Sequence, residues 1–222
     1  LLAHGPRFRV DGEIVRDIAL SASGLINLEM GGPGVYPPSA DYLYLPPTSY
    51  GTKTWTDEDA GKSKYRRALY TFRYRSVPYP VLKNFDTPNG DASCVRRDRS
   101  NTPLQALTTL NESLFMECAQ ALSMKTLQQA GKNDDARIKF VFKSCLTREP
   151  NVEELKLLTE LVAAQRKRIA SGEIDAKALM TDDSGGQIVK PPTSVKLSQN
   201  DLALWTIVSR VILNLDETIT KE

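Results

Sequence analysis

The chain holds 222 residues, 41% of them hydrophobic and 25% charged, with 29 basic and 27 acidic side chains for a formal net charge of +2. That composition excludes wholesale disorder and fits one large globular domain or two small ones. A pI near 8.4 lies below the value above ~9 expected of a dedicated nucleic-acid binder, and no apolar run approaches the ~18 residues of a membrane span.

The opening residues, Leu1-Leu2-Ala3-His4-Gly5-Pro6-Arg7, carry neither a Met nor the charged-then-apolar order of an export signal, so the chain is expected to be a fragment of a longer protein. Within residues 13–28, Val15, Ile18, Ala19, Ala22, Leu25 and Ile26 recur at helical spacing, with Arg16, Asp17 and Ser21 turned away from the stripe. This predicts an amphipathic helix. Gly31-Gly32-Pro33 ends it, and residues 33–50 collect five of the thirteen prolines and four of the eight tyrosines. Such a segment reads as an extended, ordered loop, with Pro fixing φ and Tyr rings covering apolar surface.

From Tyr65 to Arg75 the pattern changes to a period of two: Ala68, Tyr70, Phe72 and Tyr74 alternate with Leu69, Thr71, Arg73 and Arg75. That predicts a strand, with a short helix over Arg66 to Tyr74 as the alternative. A second extended piece over Ser93–Arg97, after the Asn89-Gly90-Asp91 turn signal, would pair with it in a small hairpin or sheet.

Asn101-Thr102-Pro103 opens the helical half, with Pro at its favoured first position and Leu104, Leu107 and Leu110 marking a short first piece. Asn111 is positioned to cap a second helix bearing Leu114, Phe115, Cys118, Ala121 and Leu122, and Gly131 to stop it. A third is expected from Asp134 to Arg148 on Ile138, Val141, Phe142, Cys145 and Leu146; Asn151 and Glu154 form a capping pair for a fourth, with Leu155, Leu158, Val162 and Ile169 inward. Residues 172–197, containing Asp182-Asp183-Ser184-Gly185-Gly186 and Pro191-Pro192, read as a mobile connection. Ser198 and Asp201 then open a last helix with Leu202, Trp205, Val208, Ile212 and Leu215 inward.

Each apolar stripe needs a partner to bury against. The expected architecture is therefore mainly α: a bundle of about five helices with a small β hairpin or sheet and long Pro/Tyr-rich ordered loops. Residues 1–222 would form a single domain, loop-rich over 1–100, where the first helix and the β element lie, and helical over 101–222.

Chemistry-bearing residues are few. Cys94, Cys118 and Cys145 show no Cys-x-x-Cys spacing, read as small buried apolar side chains, and His4 is the one histidine. A histidine-based triad or a multi-histidine zinc site is thereby nearly excluded. Residues 62–99 hold ten basic side chains against Asp86, Asp91 and Asp98, a local +7 that leaves the rest of the chain at −5. If the two extended pieces pair, Arg66, Arg67, Arg73, Arg75, Arg96, Arg97 and Arg99 converge as planar bidentate donors for sulfate, phosphate or carboxylate. The competing reading is structural: the arginines pair with Asp86, Asp98 and exposed helix C-termini and hold irregular loops to the bundle. Tyr36, Tyr42, Tyr44, Tyr50, Trp55 and Tyr79 offer a stacking platform for a sugar ring or, alternatively, pack the loops onto the core. Asp57-Glu58-Asp59, Asp134-Asp135 and Asp182-Asp183 read as solvated turns or helix starts, and Gly31-Gly32-Pro33-Gly34 as a turn without the Lys-Ser/Thr of a phosphate loop.

Several stretches, in order, carry a resemblance: Arg16-Asp17-Ile18-Ala19-Leu20-Ser21-Ala22-Ser23-Gly24-Leu25, Met30-Gly31-Gly32-Pro33-Gly34-Val35, Arg66-Arg67-Ala68-Leu69-Tyr70-Thr71-Phe72, Phe85-Asp86-Thr87-Pro88, Cys94-Val95-Arg96-Arg97, Thr102-Pro103-Leu104-Gln105-Ala106-Leu107, and Val211-Ile212-Leu213-Asn214-Leu215-Asp216-Glu217-Thr218-Ile219. They resemble the planctomycete-type secreted domain of unknown function, a C-terminal module of exported cytochrome c-containing proteins. The resemblance implies an exported setting, in the periplasm or cell envelope, and brings no catalytic residues to this chain. It places haem c in a separate module, so no cofactor is expected here. On this reading the chain is a non-catalytic accessory or scaffolding domain contacting other domains of its parent polypeptide or an anionic, sulfated glycan through Arg66, Arg67, Arg73, Arg75, Arg96, Arg97, Arg99 and Tyr79. Nucleic acid is the least favoured partner. The alternative is a polysaccharide-active enzyme domain using carboxylates such as Asp86 or Asp57 beside the arginines.

Overall fold

The computed structural model describes residues 5, 7–38, 61–75, 78–90, 92–181 and 197–221. His4, Tyr42, Tyr44, Tyr50, Trp55, Asp57-Glu58-Asp59, Asp91, Asp182-Asp183-Ser184-Gly185-Gly186 and Pro191-Pro192 lie outside these residues. The element order is β1 (Phe8–Arg9), α1 (Gly12–Ser23), α2 (Pro80–Asn84), α3 (Pro103–Asn111), α4 (Ser113–Gln129), α5 (Asp134–Leu146), α6 (Val152–Ala170), α7 (Gln199–Leu213), α8 (Asp216–Ile219) and β2 (Thr220–Lys221). The fold is thus mainly helical with a two-stranded antiparallel sheet, as expected.

α4 and α7 form the central pair, with α1 against α4 and α6 against α7. Trp205, Val208 and Ile212 of α7 meet Cys118 and Leu122 of α4 and Ile138, Val141 and Phe142 of α5 in one continuous core, all of them essentially inaccessible to water. Burying each large apolar side chain contributes about 1.5–3 kcal/mol, so these helices owe their existence to shared stripes more than to propensity. The predicted capping pair on α6 forms, with Asn151 accepting from the Glu154 N–H and Glu154 accepting from the Asn151 N–H.

The sheet is not where the alternating pattern placed it. β1 and β2 pair near the two ends of the chain, Phe8 opposite Lys221 and Arg9 opposite Thr220. Residues 63–75 instead form two single 3-10 turns, Ser63–Tyr65 and Ala68–Tyr70, separated by extended residues. Their alternation comes from an irregular chain laid along residues 27–35, to which it is joined by the parallel bridges Asn27 to Arg66 and Val35 to Thr71. Residues 92–100 form no strand.

α1 is shorter than its stripe. It stops at Gly24, whose φ of 81° carries the left-handed turn that lets the Leu25 N–H reach back to the Leu20 carbonyl. Arg16, expected on the wet side, is fully buried: its two terminal nitrogens donate to the Arg66 and Lys64 carbonyls, each at 2.6 Å. The guanidinium satisfies carbonyls of the irregular segment 63–70, a partner no helical-spacing argument supplies.

Other differences are local. α3 turns Gln105 and Thr109 inward and leaves Leu104 and Leu107 more than half exposed. Glu112, not Asn111, caps α4. Cys94 is exposed, unlike Cys118 and Cys145. In the expected mobile connection, the described part ends in a 3-10 turn at Ala178–Met180 that buries Met180 against Met124 and Leu202.

Candidate arginine-rich cleft

α1 begins against the strap of residues 92–100 that leads into α3. Asp11 occupies its N-cap backbone position without making a side-chain cap. The carboxylate faces the strap instead, 3.4 Å from an Arg97 nitrogen and 3.5 Å from one of Arg99. Two residues on, Glu13 receives Arg97 at 2.8 Å on one oxygen and Arg73 at 2.5 Å on the other. Arg73 also donates to the Pro88 carbonyl at 3.0 Å. Glu13 therefore clasps the two basic stretches together at the positive end of a helix, where a carboxylate is favoured. Burial pushes its carboxyl up, but its backbone hydrogen bond and the Arg97 and Arg73 guanidiniums outweigh that and hold it below the usual carboxylate range. The same pairing raises Arg97 above its ordinary value.

The strap's far end is anchored by Asp86. This residue has a φ of 60°, in the left-handed region. It accepts from Arg9 at 2.8 Å, from the Ser100 N–H at 2.7 Å and from the Ser100 hydroxyl at 2.9 Å. Burial raises its carboxyl; the Ser100 bonds and Arg9 outweigh this and leave it lowered. Arg9 itself is buried and donates also to Gln105 Oε1, while Gln105 Nε2 donates to the Asn84 carbonyl at 2.9 Å. β1, α2, α3 and the strap are thus joined through one charged cluster.

Over this support opens a cleft of about 640 Å3, lined among the described residues by Asp11, Arg96, Arg97, Asp98 and Arg99. Three arginines and two aspartates line it. The Asp11 contacts are longer than the 2.7–2.9 Å of a charge-assisted hydrogen bond. They leave the fork of Arg99 with its bidentate capacity for an incoming anion. Arg99 also stands 5.3 Å from the centre of the Phe8 ring, which is 43% exposed.

The structure divides the arginines predicted as one site. Arg96, Arg97 and Arg99 share the cleft, and Arg73 supports it through Glu13. Arg75 is exposed and outside the lining. Arg66 is buried: it donates to the carbonyls of Pro33, Glu29 and Gly31 and lies 3.7 Å from the Tyr70 ring centre, locking the 29–33 loop. Arg67 is half-buried beside it, with Nε inaccessible. Tyr79 is in the core, 2% exposed, at the N-cap of α2. Tyr36 stacks on Phe72 with ring centres 4.7 Å apart, a loop-to-loop contact.

The arginines' carboxylate partners are also not those expected: Asp11 and Glu13 serve the strap, and Asp86 serves Arg9. The signal for Asp11 and Glu13 was an acidic helix start immediately before the α1 stripe, which becomes informative only once a basic strap is known to lie across it. Among the described residues no group of three or more His, Cys, Asp or Glu is placed to hold a metal ion, and no helix is long and apolar enough to cross a membrane.

The family model of PSD1, a protein of unknown function (DUF1553), matches residues 1–162. No curated protein and no solved structure matches the chain.

Proposed function

This chain belongs to the PSD1 family of proteins of unknown function (DUF1553), and on that premise we propose that it is a non-catalytic accessory domain that contacts an anionic polysaccharide through the Arg96, Arg97 and Arg99 cleft. The observation that carries the reading is that three arginines line one open concave face, with the Arg97 and Arg99 guanidiniums held in place by Asp11 and Glu13. Planar, permanently charged, bidentate donors suit sulfate esters and uronate carboxylates. In the proposed setting the domain scaffolds a larger exported, planctomycete-type protein whose haem c is carried by a separate module. The rest of that polypeptide is its other partner.

The enzyme alternative placed catalysis on Asp86 or Asp57. Asp86 has both oxygens engaged by Arg9 and Ser100, which supports an anchoring role, and Asp57 lies outside the described residues. Asp11 and Asp98 are the carboxylates sharing the cleft. New reducing ends released from a sulfated glycan, lost in Asp98→Asn, would replace the accessory reading with the enzymatic one.

A thermal-shift screen against neutral glycans, sulfated glycans and single-stranded DNA at two salt concentrations tests the proposal. A ligand that binds only the folded state, at about a hundredfold excess over Kd, stabilises by about 2.7 kcal/mol. For a chain of this size that is about 5 °C or more. The expected result is a rise with sulfated glycans that Arg96→Ala and Arg99→Ala each reduce. A rise equal for all three classes, or insensitive to both substitutions, refutes it.

A further inference from the structure

The cleft does not stand alone at its end of the bundle. A second basin of about 200 Å3 is lined by Asn101, Gln105, Thr109, Asn214 and Asp216, with the apolar side chains of Leu213, Leu215 and Ile219 between them. A third, of about 400 Å3, is lined by Arg7, Lys221, Thr147, Thr220, Glu217 and Leu146. Ser100 alone separates Arg99 of the first from Asn101 of the second. Asp216 lines the second and accepts a 2.6 Å bond from Arg7 of the third. β1 runs along the series: Phe8 carries Arg99 over its ring and pairs with Lys221 in the ladder.

The chemistry changes along this line. The first basin presents three arginines with Asp11 and Asp98; the second presents the amides of Asn101 and Asn214, the latter accepting from the buried Thr109 hydroxyl, with Asp216; the third presents Arg7 and Lys221 with Glu217. Cationic side chains outnumber carboxylates at both ends, and in the middle the carboxylate of Asp216 is paired with Arg7 beside Asn101 and Asn214; this pattern suits a chain whose anionic groups are spaced by uncharged sugar hydroxyls. It does not match a single small anion, which the first basin alone would more than hold.

We infer that the three basins form one groove for a linear acidic polysaccharide, with anionic groups seated at Arg96, Arg97 and Arg99 and again at Arg7 and Lys221, and an uncharged portion of the chain crossing Asn101 and Asn214. The inference rests on the first cleft being the glycan-binding surface and adds its direction and length. Arg7 is tethered to Asp216 at an exposed site, where such pairs are weak, so a ligand anion competes for it readily.

The probes are size-fractionated heparin oligosaccharides, from disaccharide to octasaccharide, titrated calorimetrically against the 222-residue chain, with a thymidine oligonucleotide of similar charge in parallel. Affinity is expected to rise at least about tenfold with length, because the second anchor becomes effectively intramolecular. Arg7→Ala with Lys221→Ala is expected to lower octasaccharide affinity about tenfold and leave disaccharide affinity unchanged. Asp216→Asn, which releases Arg7 and removes a negative charge, is expected to strengthen octasaccharide binding severalfold; this opposite sign separates the groove from loss of fold. If affinity is independent of length and of Arg7 and Lys221 but falls in Arg96→Ala, the groove is wrong and the single cleft stands. If no oligosaccharide binds, or the oligonucleotide binds as well, both are wrong.

Discussion

Replacing Glu13 by Gln removes the charge that clasps the strap to α1. In the native protein one carboxylate, 13% exposed, accepts Arg73 at 2.5 Å and Arg97 at 2.8 Å. Hydrogen bonds to charged groups contribute about 1.5–3 kcal/mol each, but Arg97 is 39% exposed and its share is discounted accordingly. Gln keeps one acceptor oxygen. The net loss is therefore about 2 kcal/mol, or a fall in Tm of about 4–8 °C. Because the folded carboxyl lies below its ordinary value, its contribution is complete above the unfolded value near 4.5 and disappears as pH falls through the folded one. Urea unfolding of the native chain and Glu13→Gln, at pH 7 and at successively lower pH down to about 3, reads both the magnitude and its convergence. The released Arg97 should also raise affinity for a sulfated glycan. A stability loss under about 0.5 kcal/mol at neutral pH, or one that persists unchanged in acid, refutes the clasp.

Gly12 permits close approach of α1 to the segment after α2: a Cβ there would lie 2.7 Å from the Phe85 Cβ and 2.8 Å from the Thr87 methyl. Gly12→Ala should cost about 1–3 kcal/mol by chemical denaturation, and no cost would mean the contact is looser than described. Arg16→Ala should cost about 3 kcal/mol or more, because the inaccessible guanidinium holds the Arg66 and Lys64 carbonyls; a near-neutral result would show that water replaces it. Glu112 titrates in the opposite sense to Glu13: burial pushes its carboxyl up to about 7 from 4.5. The native chain therefore loses stability relative to Glu112→Gln as pH rises from 4.5 through about 7, so the substituted chain should gain on the native one between pH 4 and pH 8. Equal stability at both pH values would mean that Glu112 ionises freely.

The helical half was legible because its rules are local. Trp205, Val208 and Ile212 recur at helical spacing and are all buried, and the Asn151 and Glu154 capping pair forms where its spacing places it. α1 was legible as a helix but not in what it does, since Arg16 and Glu13 take their roles from segments 48 to 84 residues away. The alternation in 65–75 was misread for a related reason. Extended residues between 3-10 turns give the same period of two as a strand, and the bonds that distinguish them, Arg66 to the 29–33 carbonyls and Val35 to Tyr70 and Phe72, are tertiary. The convergence of basic stretches was legible as charge. Its cause, a shared carboxylate at a helix start rather than a strand pair, depends on tertiary placement.

Hydrogen–deuterium exchange with and without a sulfated octasaccharide tests the cleft most directly, because it maps where the ligand sits without assuming which residues matter. Slowed exchange is expected in peptides covering residues 96–101 and the first turn of α1, with the α4 and α7 core unchanged. Protection confined to the 29–33 loop, α6 or other surfaces, with the strap unaffected, would contradict it.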